Sequence, residues 1–154
     1  MLDPALIDLY SKRLKEWGAT IKEDRPLPAG TAHGSARRRS PLCGSQITFD
    51  VALDDAGTIA AIGWTVRACA LSEAAAGIVV HAAPGCGLED LKAVRDAMRR
   101  MLREESDDLP GGKWADLEIL KPAQMVRSRH GSAMLPFETI VEAVEAALEN
   151  KAAS

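Results

Sequence analysis

A chain of 154 residues with net charge −3 and a pI near 5.6 fits one domain and carries no overall basic field of the kind nucleic-acid binding requires. Its 47% hydrophobic and 27% charged residues are an ordinary globular mix, and folding at this length hides roughly 68–70% of the unfolded chain's surface, enough for a core without staples. No apolar run approaches the roughly 18 residues of a membrane span. Met1-Leu2-Asp3-Pro4 lacks the charged-then-apolar pattern of a signal peptide, so the expected location is the cytoplasm.

Residues 3–17 predict an amphipathic helix, with Leu6, Ile7, Tyr10, Leu14 and Trp17 on one stripe, Asp3-Pro4 at its start and Gly18 at its end. Residues 18–42 hold Pro26, Pro28, Gly30 and the basic run Arg37-Arg38-Arg39. They read as a mostly extended connector with room for one short strand. In 46–53, Ile47, Phe49, Val51 and Leu53 alternate with Gln46, Thr48, Asp50 and Ala52, the pattern of a half-buried strand. Asp54-Asp55-Ala56-Gly57 is a turn signal, and 58–67 is a second strand with Ile62, Trp64 and Val66 on one face. The two strands form an antiparallel hairpin.

From Ala70 the period changes. Leu71, Ala75, Ile78 and Val79 mark a helix to about residue 82, and His81 to Gly87 is a break. A long helix follows over 88–104, with Leu88, Leu91, Val94, Met98, Met101 and Leu102 on one stripe and Arg95, Arg99, Arg100 and Arg103 elsewhere. Residues 107–112 are a loop, and Trp114 to Leu120 a short helix. Pro122 opens a connector that ends at Arg129-His130-Gly131. A final helix over 133–149 points Phe137, Ile140, Val141, Val144 and Leu148 inward and Glu138, Glu142, Glu145 and Glu149 outward. The order gives an α+β fold in one domain over 1–154, with helices packed on a small antiparallel sheet.

Three cysteines, Cys43, Cys69 and Cys86, cannot close into a full set of disulfides, and without an export signal they should be reduced thiols. Cys43 precedes the first hairpin strand and Cys69 follows the second. A hairpin returns its ends to one edge, so the two are expected as neighbours. At a helix N-terminus, two residues from Arg67, Cys69 is expected to favour the thiolate that metal binding and sulfur transfer both need. His130 also precedes a helix, but only the fold can bring it to that edge. By residue type alone, each cysteine also fits as a small buried hydrophobe and His130 as a satisfied polar residue. Cys86, in Pro84-Gly85-Cys86-Gly87, reads as an exposed loop thiol. His81 and His33 are minor candidates, and Glu73, one turn beyond Cys69, can face the site or cap its helix. The Arg37-Arg38-Arg39 run can dock an acidic partner or stand solvated.

Pro41-Leu42-Cys43-Gly44-Ser45 before an amphipathic strand resembles the first cysteine motif of the IscU/NifU/SufU scaffolds, Pro-x-Cys-Gly-Asp. Val66 through Ala76 is similar to their second motif, Gly-Cys-x-x-Ser/Ala before an Ala/Ser-rich helix, and Arg127-Ser128-Arg129-His130 falls where the third cysteine is expected. The resemblance spans residues 5–148 and implies a SufE/NifU-like fold and a scaffold or carrier rather than an enzyme. It implies that Cys43, Cys69 and His130 hold iron or a transient [2Fe–2S] cluster, with a cysteine desulfurase supplying sulfur and apo iron–sulfur proteins receiving the cluster. The family's Asp is Ser45 here, at most a weak fourth ligand. The long separation of Cys69 from His130 is more like the SufU branch. That branch implies a second reading, a zinc-bound sulfur-transfer partner with Cys43 or Cys69 as sulfur acceptor. A third is a family member that kept the fold as a metal-free binding module. The Leu-Pro-Pro-Val-Lys sequence of IscU is absent; Leu120-Lys121-Pro122-Ala123 stands nearest to it.

Overall fold

The computed structural model describes residues 4–41 and 44–153. Its elements in chain order are α1 (Pro4–Thr20), β1 (Gly34–Arg39), β2 (Gln46–Leu53), β3 (Ile59–Arg67), α2 (Ala70–Ala82), α3 (Leu88–Glu104), a 3-10 segment (Gly112–Met125), a 3-10 turn (Arg127–Arg129) and α4 (His130–Ala153). The three strands form one antiparallel sheet in the order β1-β2-β3. The expected α+β arrangement and its hairpin are both present, and β1 is the short strand the connector had room for.

The central strand is built by its alternation. Ile47, Phe49, Val51 and Leu53 are buried, while Gln46, Thr48, Asp50 and Ala52 are only half-buried. Cross-strand register continues the inward face into β3 through Val66, Trp64 and Ile62, opposite Ile47, Phe49 and Val51. The β2–β3 turn closes on Asp54, whose Oδ1 accepts the N–H groups of Ala56 and Thr58 at 3.0 Å each, and Gly57 takes the left-handed φ of 82° that the turn needs.

Helices cover the inward face. α4 lies so close to β1 that a Cβ on Gly34 would stand 2.3 Å from the Ala147 backbone nitrogen. α1 packs on α2 with the same intimacy: a Cβ on Gly77 would meet the Trp17 carbonyl at 2.5 Å. Phe49, Phe137, Met98, Met101, Leu117 and Ile119 are fully buried between the layers. No helix among the described residues is long and apolar enough to cross a membrane.

Several boundaries differ from expectation, each for a local reason. α1 continues through Gly18 to Thr20. Gly18 is a contact residue rather than a helix stop, since a Cβ there would stand 2.6 Å from Glu73 Oε1. The expected short helix and the connector after it are instead one 3-10 segment that runs past Pro122 to Met125. α4 begins at His130, three residues early, and carries Pro136 within it. Cys86 is not an exposed loop thiol. It is 5% exposed, because its loop docks on β3: Ile59 N–H donates to the Cys86 carbonyl at 2.9 Å and Gly85 N–H to the Ile59 carbonyl at 2.8 Å. The Cys86 thiol turns inward to the Ala82 carbonyl.

Candidate functional site

The described ends of the β1–β2 connection are bonded to each other. Ser40 N–H donates to the Ser45 carbonyl at 2.8 Å and Gly44 N–H to the Ser40 carbonyl at 2.9 Å. Gly44 adopts φ 73°, a left-handed conformation that suits glycine. Cys43 lies in this connection by sequence and outside the described residues.

The second cysteine segment is joined to the same place. Gln46 pairs with Arg67, so the start of β2 and the end of β3 are level. Two residues on, Cys69 is the N-cap of α2, partly buried, with φ −66° and ψ 166°. Its N–H donates to Ser45 Oγ at 3.1 Å, and its carbonyl accepts the Glu73 N–H at 2.8 Å. Ser45 is 2% exposed, so the hydroxyl two residues after Cys43 acts as a cap supplied from across the hairpin. The exposed N–H groups and dipole of a helix N-terminus favour an anion at this position.

α4 enters the corner through Ser132. Pro136 has no N–H, so the Ser132 carbonyl four residues before it loses its helical partner. Ser72 Oγ, in the first turn of α2, donates to that carbonyl at 2.5 Å. Ser72 and Ser132 are both buried, and Ser40 is too. Of the buried polar residues described, only Thr139 stands elsewhere. The hydroxyls therefore concentrate where the β1–β2 connection, α2 and α4 converge. Sequence reasoning missed Ser132; its only signal was a proline four residues downstream.

His130 is the first residue of α4. Its Nε2 is 3.3 Å from the Gln124 carbonyl, and Gln124 Nε2 donates in turn to the Met101 carbonyl at 2.8 Å. His130 helps line a hollow of about 690 Å³ with Leu102, Arg103, Glu105 and Arg127. The structure thus joins Ser45 to Cys69, and places the contacts of His130 toward the end of α3. Among the described residues, which omit Cys43, no three His, Cys, Asp or Glu side chains group as a metal site.

The remaining candidates have structural partners. His33 Nδ1 accepts the Leu53 N–H at 2.8 Å. The exposed His81 sits 2.9 Å from the Gly77 carbonyl and edge-on to Trp17. Glu73 leans on α1 at Gly18. Asp24 braces the end of β3: its Oδ1 accepts the Val66 N–H at 3.0 Å and its Oδ2 meets Arg67 Nη1 at 2.7 Å. The Val66 N–H, with Arg67 adding to it against the cost of burial, holds the Asp24 carboxyl below the usual carboxylate range.

The chain is similar to three solved structures. A nitrogen-fixing NifU-like protein (N-terminal) from Brucella abortus is 30% identical, with a TM-score of 0.83 over 92% of this chain and 96% of that one. A hypothetical protein is 19% identical, with a TM-score of 0.74 over 90% of this chain and 98% of that one. A protein assigned as an iron–sulfur cluster assembly scaffold for the SUF system, from the thermophilic Fervidobacterium islandicum, is 15% identical, with a TM-score of 0.76 over 92% of this chain and 99% of that one. The last two show likeness of fold. No protein-family model and no curated protein sequence matches the chain.

Proposed function

The chain belongs to the NifU-like N-terminal family of iron–sulfur cluster assembly scaffolds, and from that premise we propose that it carries a transient [2Fe–2S] cluster, or its iron and sulfide, on Cys43 and Cys69. In this proposal His130 is the third donor, a cysteine desulfurase supplies the sulfur, and apo iron–sulfur proteins receive the cluster. One observation supports the reading above others. Cys69 caps α2 with its N–H held by Ser45 Oγ at 3.1 Å, so the strand that starts just after Cys43 is fastened to the helix end that presents the second thiol.

The chemistry follows from the donors. Thiolates are ligands for iron–sulfur clusters, and imidazole can replace one of them. Ser45 keeps the Cys69 backbone in place; a hydroxyl oxygen has a second lone pair and can add a weak fourth contact. The same donor set, two cysteines and a histidine, suits tetrahedral zinc, and the corner then serves sulfur transfer. The thiolate of Cys43 or Cys69 attacks the outer sulfur of the donor's persulfide. The donor's S–S bond breaks, the sulfur stays on this chain, and the donor cysteine leaves as a thiolate.

Anaerobic reconstitution with ferrous iron and sulfide, followed by visible absorption and circular dichroism, tests the proposal. Wild type should develop sulfide-to-iron charge-transfer bands, Cys43→Ala and Cys69→Ala should not, and His130→Ala should form a cluster that is lost faster. Bands of wild-type intensity in both cysteine variants would overturn it.

A further inference from the structure

The run Arg37-Arg38-Arg39 is divided by the pleat of β1. Arg38 meets Glu142 of α4 at 2.5 Å on the helical side. Arg37 and Arg39 take the opposite face, are exposed, and have no carboxylate partner among the described residues. Register extends this face across the sheet. Arg39 is opposite Gln46, and Gln46 is opposite Arg67. Paired residues point to the same side of a sheet, so Arg39, Gln46 and Arg67 form one row over all three strands. Arg37 stands one pleat repeat behind, opposite Thr48. The Arg67 side chain is 69% exposed even though it meets Asp24.

The position of the row matters more than its charge alone. It lies at the end of the sheet where β1 runs into the connection that holds Cys43 and β3 runs into Cys69. The chain as a whole carries −3, so the sign of the surface reverses locally beside the thiol-bearing corner. β1 supplies two of the three cations and β3 the third, with the neutral Gln46 of β2 between Arg39 and Arg67.

We propose that Arg37, Arg39 and Arg67 form the docking surface for a carboxylate-rich face of the protein that delivers sulfur to this corner. This rests on the carrier reading above. A planar guanidinium fork matches carboxylates in pairs. Three arginines within one pleat repeat of each other on an acidic chain suit a small acidic protein surface better than the extended phosphate track of a nucleic acid. The row acts mainly on encounter: complementary charge raises the association rate and loses its effect in salt.

The test measures association of the full chain with the cysteine desulfurase of the same organism, by stopped flow, at about 50 mM and about 500 mM salt. Arg37→Glu/Arg39→Glu is compared with wild type and with Lys12→Glu/Lys15→Glu, an exposed pair on α1. The row predicts that the first variant associates about tenfold more slowly at low salt and loses most of its salt dependence, while the second behaves as wild type. Chemical reconstitution with iron and sulfide needs no docking and should be unchanged in both. Equal rates and equal salt dependence in wild type and Arg37→Glu/Arg39→Glu would overturn the inference, as would a desulfurase that does not associate with wild type. So would tight binding of a single-stranded 20-mer oligonucleotide that the same variant abolishes. Failure of reconstitution in wild type would instead count against the carrier reading, which keeps the two failures distinct.

Discussion

Single side chains near the corner carry more of the argument than their exposure suggests. Asp24 accepts the Val66 N–H and pairs with Arg67, two residues before Cys69. Its carboxyl is held below the ordinary aspartate value of 3.8 by the Val66 N–H, with Arg67 adding to it. A lowered carboxylate contributes stability that is present above its unfolded pKa and lost as the pH falls through the lower, folded value. Asp24→Asn should therefore be less stable than wild type near neutrality, with the difference shrinking only below pH 3.8. Urea titrations of both proteins at neutral pH and in acid check this; a constant difference at all pH values would contradict it. The same scale shows why Cys86 misled: Pro-Gly-Cys-Gly is the composition of an exposed turn. Its burial depends on backbone bonds to Ile59, a partner no local pattern reveals.

Among elements, those with a clean period were legible and those defined by partners were not. The strand alternation of Ile47, Phe49, Val51 and Leu53 and the helical stripe of α3 are both realised. The segment after α3 was misjudged because its period is three. Trp114, Leu117, Leu120 and Ala123 are all buried, the spacing of a 3-10 helix with three residues per turn rather than 3.6. The start of α4 at His130 lies three residues ahead of the expected helix, which already ran through Pro136. In the fold this proline frees the Ser132 carbonyl to receive Ser72 Oγ. This makes a paired prediction. Ser72→Ala removes that hydrogen bond to the buried Ser132 carbonyl and should cost about 0.5–1.5 kcal/mol in urea unfolding. Pro136→Ala restores an N–H to the helix, so the double variant should lose less than the sum of the single losses. Strict additivity would show that the proline and the serine are unconnected.

At the scale of the whole molecule, the hairpin decided how much of the site could be read in advance. Its returning ends predicted that the segments bearing Cys43 and Cys69 converge, and Ser45 now bonds Cys69 there. Where α4 sits on the sheet was beyond reach, because it depends on long-range approaches such as Gly34 against Ala147 and Ser72 against Ser132. For the same reason the contacts of His130 with Gln124, toward α3, could not be foreseen. Family membership at 30% identity over 92% of the chain is the premise of the proposal that this chain is a carrier whose cargo depends on two thiols. The central claim is most directly tested by the metal and acid-labile sulfide content of protein purified without oxygen, for wild type, Cys43→Ala, Cys69→Ala and His130→Ala. The account predicts iron and sulfide in equal amounts in wild type, absent from both cysteine variants and diminished in the histidine variant; iron and sulfide retained when either cysteine is removed would contradict it.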